Sequence, residues 1–236
     1  MNPLLVALDV NTAAEALALA DTLRGVAGGF KIGSRLFTAA GPGIVARLVD
    51  SGDRVFLDLK FHDIPSTVAG AVEAATALGV WMLNVHASGG LDMMRAAKAA
   101  SAGAGAKTAA GPPLVIAVTV LTSLEQPALA RIGIGEDPGT HVDRLARLAS
   151  EAGLDGVVAS PLEAGRIRLW ADPGFLIVTP GIRGGGRDDD QARTSTAVAA
   201  VQSGASYLVV GRPIIKAVDP RAAAQQIMED LRAGRC

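Results

Sequence analysis

The stretch Val55-Phe56-Leu57-Asp58-Leu59-Lys60-Phe61-His62-Asp63-Ile64-Pro65 decides the fold. It opens as a short apolar run, as expected for a strand covered on both faces. It then acquires charge and gives way at Pro65 to an Ala-rich segment with helical spacing, Pro65–Leu78. The same succession recurs along the chain. Apolar, largely β-branched runs lie at Leu4–Leu8, Phe30–Ile32, Val55–Leu59, Trp81–Val85, Leu114–Val120, Gly156–Ala159, Phe175–Val178 and Tyr207–Val210. Helical patterns fall between them at Thr12–Leu23, Asp92–Ala100, His141–Ala152, Pro161–Leu169, Gln191–Gln202 and Pro220–Ala233. A further segment, Ser34–Asp50, is interrupted by Gly41-Pro42-Gly43. Thr12, with Glu15 three residues later, has the pattern of a capping box. From the end of the first run to the end of the eighth the mean step is about 29 residues, near the size of a βα unit. Eight such units predict a closed (β/α)8 barrel of the TIM type, a single domain over residues 1–236. A doubly wound open sheet is the competing architecture, and eight full repeats in this length favour closure.

Composition narrows the function. Lys plus Arg is 22 and Asp plus Glu is 23, a net charge of −1, so no basic excess marks a nucleic-acid binder. Half the chain is hydrophobic, which excludes disorder as the dominant state. The single Cys, Cys236, allows neither an intrachain disulfide nor a Cys-based metal site, and fits a reducing compartment. Asp9 breaks the first apolar run too early for a signal-peptide core, and no run approaches the roughly 20 apolar residues of a membrane span. A cytoplasmic protein with no membrane or nucleic-acid partner is the expectation.

In such barrels the active site lies at the C-terminal ends of the strands. The residues closing the runs are therefore the candidates: Asp9, Lys31, Asp58 and Lys60, Asn84 and His86, Thr119 to Ser123, Ser160, Thr179 to Arg183, and Gly211-Arg212. Asp58 and Lys60 are two apart, so they share a face of their strand, opposite Leu57 and Leu59. Two inward charges are costly unless paired. A structural ion pair plugging the mouth is the plain reading of Asp-X-Lys alone. Asp9 and Lys31, from the two preceding strands, reach the same spot and turn the pair into a site. A second, cationic pole is predicted after strands seven and eight, where these barrels grip phosphate with help from a short helix. Arg183 and Arg212 supply forked donors there, and Gly181 and Gly211 allow close approach of backbone. The competing reading is a solvated loop charge and a helix cap.

Other signals are weaker. Gly184-Gly185-Gly186 lacks the Gly-Lys-Ser/Thr of a phosphate-binding Walker loop and reads as a lid hinge. Asp188–Asp190 reads as a helix start. Ala99–Gly111 reads as a mobile helix end plus loop. His86 reads as a packed residue, His62 falls outside the inward parity, and His141 reads as a helix-surface residue. No His pair has metal-ligand spacing. Trp81 and Trp170 read as core.

The stretch Asp58-Leu59-Lys60-Phe61-His62-Asp63-Ile64-Pro65 now joins several others. They are Ala7-Leu8-Asp9, Lys31-Ile32-Gly33, Asn84-Val85-His86-Ala87, Leu121-Thr122-Ser123, Thr179-Pro180-Gly181-Ile182-Arg183, Asp190-Gln191-Ala192-Arg193 and Val210-Gly211-Arg212. Together they resemble the bacterial orotidine 5′-phosphate decarboxylases, from Leu4 to about Lys216. Asp-X-Lys-X-X-Asp alone is shared with barrels acting on sugar phosphates, such as keto-gulonate-phosphate decarboxylase. The resemblance implies cofactor-free, metal-free decarboxylation of orotidine 5′-phosphate to UMP in de novo pyrimidine synthesis. It implies Lys60 as the proton donor to C6 of the pyrimidine, flanked by Asp58 and Lys31. It implies a homodimer in which Asp63 enters the array from the other subunit, with Ile64 and Thr67 reaching the neighbouring site. Asp9 and Lys31 would contact ribose hydroxyls, and Thr122 and Ser123 the pyrimidine edge. Pro180, Arg183, Gln191, Gly211 and Arg212 would bind at the phosphate end. The chain differs from many members at Ser66, often Asn or Thr, and at Gly184, often Pro. Two other functions fit parts of the pattern. One is a sugar-phosphate decarboxylase, epimerase or aldolase, some of which need Mg²⁺; Thr122-Ser123 and Gln191 speak against it. The other is a non-catalytic uridine-nucleotide binder, against which the intact Asp58-Lys60-Asp63 set speaks.

Overall fold

The structure is a computed structural model that describes residues 2–182 and 195–234. Its strands are β1 (Leu4–Ala7), β2 (Gly29–Gly33), β3 (Val55–Phe61), β4 (Met82–His86), β5 (Leu114–Val118), β6 (Gly156–Val158), β7 (Leu176–Thr179) and β8 (Tyr207–Val210). All neighbours pair in parallel, and β8 closes onto β1 through Leu4↔Leu208, Leu5↔Val209 and Val6↔Val210. The closed barrel expected from the period is therefore present.

The helices described are α1 (Ala13–Leu23), α2 (Ser34–Ala40), α3 (Gly43–Asp50), α4 (Pro65–Ala77), α5 (Leu91–Gly105), α6 (Gln126–Arg131), α7 (Pro138–Glu151), α8 (Pro161–Arg168), α9 (Ala197–Gln202), α10 (Arg212–Ile215) and α11 (Pro220–Ala233). Thr12 caps α1, and the Glu15 carboxylate returns to the backbone N–H of Thr12, so the capping box is complete. The interruption near Gly41 separates α2 from α3.

Two apolar layers hold these elements. One fills the space between barrel and helices, with Leu4, Val6, Ile32, Leu57, Leu83 and Ile177 as strand contributors. The other fills the barrel itself: Leu5, Phe56, Met82, Ile116, Val178 and Tyr207. Phe56 is almost fully buried there, and burying one such ring stabilises by roughly 1.5–3 kcal/mol. These side chains fill the lower barrel, and Phe56 and Val178 form part of the floor and wall of a cavity at its C-terminal mouth.

Several expectations need correction. The Ala99–Gly111 run is a helix end plus loop, as expected, but its helical part is packed: α5 continues to Gly105, and buried Ser101 donates to the Pro113 carbonyl at 2.9 Å. A Cβ at Gly105 would lie 2.2 Å from Pro112, so the small residues are there for close packing. His141 is buried rather than on the helix surface, and its ring contacts Glu136 and Arg144. Trp81 and Trp170 are only partly buried, each with a guanidinium over its ring, from Arg54 and Arg147 respectively. The helix expected from Gln191 has its described start at Ala197, with Thr196 as its cap. α6 had no counterpart in the sequence reading.

Candidate active site

A cavity of about 350 Å³ opens at the C-terminal mouth of the barrel. Such a volume suits a small organic ligand. β1 to β3 supply Ala7, Asp9, Lys31, Phe56, Asp58 and Lys60, and the opposite side is lined by Val118, Val158, Val178 and Val209.

The charged side is one connected array. Lys31 Nζ lies 3.2 Å from Asp9 Oδ1 and 3.3 Å from Asp58 Oδ2. Lys60 Nζ donates to Asp58 Oδ1 at 2.7 Å. Alternating signs are what allow two lysines and two carboxylates to share so small a space. All four side chains line the cavity; Lys31 and Asp58 are buried at its base, whereas Asp9 and Lys60 are more exposed. Burial works against the charge on Lys31, but Asp58 and Asp9 outweigh it and hold the amine above its ordinary pKa. Burial likewise disfavours ionised Asp58. Lys31 and Lys60 overcome that, and the carboxyl is held below its ordinary value. Gly33 is part of the same arrangement, since a Cβ there would sit 3.0 Å from Lys31 Nζ.

Asp58 and Lys60 do share a face, as the two-residue spacing requires, but the strand between them is not regular. Register with β4 is lost between Leu57, opposite Leu83, and Phe61, opposite Val85. Lys60 has φ +55°, the one positive φ outside glycine among the described residues. Strained backbone of this kind concentrates at functional sites. The irregularity is anchored by Asn84, which is fully buried on β4. Its side-chain carbonyl accepts the Lys60 backbone N–H at 2.8 Å, and its amide donates to Asp58 Oδ1 at 2.6 Å. The sequence reading placed Asn84 at a strand end and assigned it no role. Its inward parity with Met82 and His86 was the available signal.

The remaining predicted residues divide. Thr122, Ser123, Pro180, Gly211 and Arg212 all line the cavity, together with Gly181 and Ile182. Gly211 precedes α10, whose first residue is Arg212, so the expected short helix is in place. Asp63, Ile64 and Thr67 are exposed at the start of α4 and do not line it; Asp63 Oδ1 instead accepts the Ile64 N–H at 2.6 Å. Arg183, Gln191 and the 184–190 stretch lie outside the described residues. His86 is half-buried with its ring centroid 5.4 Å from that of exposed His62. Burial, the neighbouring His62 and Lys60 push its pKa below the ordinary histidine value, against the pull of Asp58. Among the described residues no cluster of His, Cys, Asp or Glu is arranged to hold a metal ion, and no helix is long and apolar enough to cross a membrane.

Comparison with known proteins agrees with this geometry. Residues 2–227 match the family described as orotidine 5′-phosphate decarboxylase / HUMPS. The chain is 53% identical over 230 residues to the orotidine 5′-phosphate decarboxylase of Moorella thermoacetica, covering 97% of this chain and 91% of that one. It is 50% identical over 234 residues to the enzyme of the same name from Sodalis glossinidius, covering 99% and 91%. The crystal structure of orotidine 5′-phosphate decarboxylase from Lactobacillus acidophilus superposes with a TM-score of 0.86 at 35% identity, over 98% of this chain and 99% of that one. With a matched family over nearly its whole length and a barrel mouth carrying the alternating array, the chain belongs to the orotidine 5′-phosphate decarboxylase / HUMPS family.

Proposed function

We propose that this protein decarboxylates orotidine 5′-phosphate to UMP and CO₂, the closing step of pyrimidine nucleotide synthesis, with Lys60 as the acid. The observation that carries the reading is the Asp9–Lys31–Asp58–Lys60 array at one wall of the cavity, with consecutive members 2.7–3.3 Å apart.

The bond from C6 to the carboxylate breaks and leaves its electron pair on C6. The pyrimidine ring delocalises that pair poorly, so the protein must stabilise it electrostatically. A preorganised ammonium does so without reorganisation cost. The Lys60 ammonium faces the cavity, and its proton passes to C6 as CO₂ departs. Solvent then reprotonates the amine. Asp58 holds the ammonium in place by direct hydrogen bond. Asp9 and Lys31 are assigned to the ribose hydroxyls, and Thr122 and Ser123 to the pyrimidine edge. Pro180, Gly211 and Arg212 are assigned to the phosphate, with Arg183 and Gln191 joining them. Binding energy gathered at this remote phosphate serves orientation at the reacting carbon.

The protein is further proposed to act in the cytoplasm as a homodimer, with Asp63, Ile64 and Thr67 completing the partner's site. Exposure of Asp63, Ile64 and Thr67 beside the mouth supports this. Mixing Lys60→Ala with Asp63→Ala chains should then restore activity in hybrid dimers carrying one intact site. No recovery after demonstrated subunit exchange would contradict the shared site.

The function is tested by incubating the purified protein with orotidine 5′-phosphate. Loss of substrate absorbance with stoichiometric UMP, unchanged by a chelator, is expected. UMP binding without turnover would identify a nucleotide-binding protein instead, and chelator-sensitive turnover of a sugar phosphate would identify the other barrel chemistry.

A further inference from the structure

We propose that Asn84 is a positioning residue that orients the Lys60 ammonium and the Asp58 carboxylate together. This rests on the decarboxylase reading for its consequence, though not for its geometry. Asn84 is fully buried, where an unsatisfied primary amide would be costly. Its carbonyl takes the Lys60 N–H at 2.8 Å, and its amide N–H goes to Asp58 Oδ1 at 2.6 Å.

The position of Asn84 explains why an amide is needed. β3 and β4 pair at Leu57↔Leu83 and again at Phe61↔Val85, so Asn84 is the β4 residue opposite the irregular stretch. In a regular ladder a strand carbonyl would accept the Lys60 N–H. Here the Asn84 side chain takes that place while Lys60 holds φ +55°. That backbone turn is what lets Lys60 Nζ fold back to Asp58 Oδ1 at 2.7 Å and still face the cavity. Asp58 Oδ2 is meanwhile directed at Lys31, 3.3 Å away, so the two oxygens are held by different partners. The role demands a donor and an acceptor on one short, neutral side chain. A carboxylate offers only the acceptor and sets a second negative charge against Asp58. Leucine keeps the volume and offers neither.

The test compares wild type, Asn84→Leu and Asn84→Asp for kcat, KM and UMP affinity, with circular dichroism to confirm folding. Misplacing a reacting group by about 1 Å can cost about 100-fold. Asn84→Leu should therefore lose about 100-fold in kcat, with KM and UMP affinity within about 3-fold of wild type, since ribose and phosphate contacts are elsewhere. Asn84→Asp should lose comparably at neutral pH and regain activity, relative to wild type, as pH falls. Its protonated carboxyl group supplies both an O–H donor and a carbonyl acceptor. The ionisable groups around it are Asp58 and Lys60 on β3, Lys31 on β2 beyond Asp58, and His86 two residues along β4; taking the ratio to wild type at each pH separates their titration from its own. Independently of turnover, hydrogen exchange at the Lys60 amide should quicken in Asn84→Leu. Variants within 3-fold of wild-type kcat, a loss confined to KM, or an unchanged Lys60 exchange rate would overturn the assignment. An inactive wild type would instead overturn the decarboxylase reading and leave the exchange measurement to decide the role of Asn84.

Discussion

The two walls of the cavity are built from the two halves of the barrel, and only one of them carries the charged array. On and just after β1 to β3 the wall carries Asp9, Lys31, Asp58 and Lys60 beside Ala7 and Phe56, with Asn84 of β4 bonded behind Asp58 and Lys60. On β5 to β8 the other wall carries Val118, Val158, Val178 and Val209. Opposite faces of one small cavity therefore have opposite chemistry. Charges on the first wall are affordable because each faces an opposite charge or an amide within 3.3 Å. Under the proposed function the second wall offers apolar surface to a flat ring, and excluding water there would strengthen the interactions made by the first. The proposed function thereby puts the chemistry on one half of the fold. The residues assigned to the pyrimidine edge and the phosphate, Thr122, Ser123, Pro180, Gly211 and Arg212, line the rim on the other half, while the ribose is assigned to Asp9 and Lys31 on the first.

This division predicts effects of different kind and size. The largest should come from Asp58→Ala. It strips Lys60 of its anchor and leaves Lys31 with Asp9 alone, so kcat should fall on the order of 10³-fold, the scale of losing one electrostatic or acid–base group. Removing one partner of a buried pair should also cost about 3–5 kcal/mol in urea unfolding. A kcat loss below about 10-fold would erase the distinction between the walls. Arg212→Ala, at the phosphate end, should act on binding. A charge-assisted hydrogen bond is worth about 1.5–3 kcal/mol, so KM and the UMP dissociation constant should rise about 10- to 100-fold. Uridine affinity should stay the same, and an equal loss for uridine would place Arg212 elsewhere.

The smallest effect concerns His86, whose folded-state pKa lies below its ordinary value. Above about pH 6.5 both folded and unfolded chains carry it neutral. As pH falls below that, the unfolded chain binds a proton before the folded one does, and stability declines until the folded pKa is passed. His86→Gln should therefore flatten the loss of stability between pH 7.5 and 5.5, read from urea midpoints. An unchanged slope would mean that burial and its neighbours do not hold His86 below its ordinary pKa.

Much of the charged wall was legible in the sequence because it depends on local rules. Strand parity put Asp58 beside Lys60, and the repeat period brought Asp9 and Lys31 to the same rim. The capping box at Thr12 was equally local. What escaped depends on pairing between distant segments. The broken β3–β4 register, the left-handed Lys60 and the double hydrogen bond of Asn84 exist only once two strands meet. The packing at the end of α5 escaped for a related reason: a run of Ala and Gly reads as a mobile helix end plus loop until Pro112 is seen packed on Gly105. His141 looked like a surface residue because a histidine on a helix is read as solvated until its face is seen packed; its contacts with Glu136 and Arg144 are local, but its burial is set by the fold.

The most direct test of the account is the turnover of Lys60→Ala on orotidine 5′-phosphate, alongside its affinity for UMP. The account predicts a kcat lower by on the order of 10³-fold or more, with UMP still bound, because the acid is lost while the valine wall and phosphate end remain. A variant that consumed orotidine 5′-phosphate at the wild-type rate would contradict the assignment of the chemistry to the charged wall.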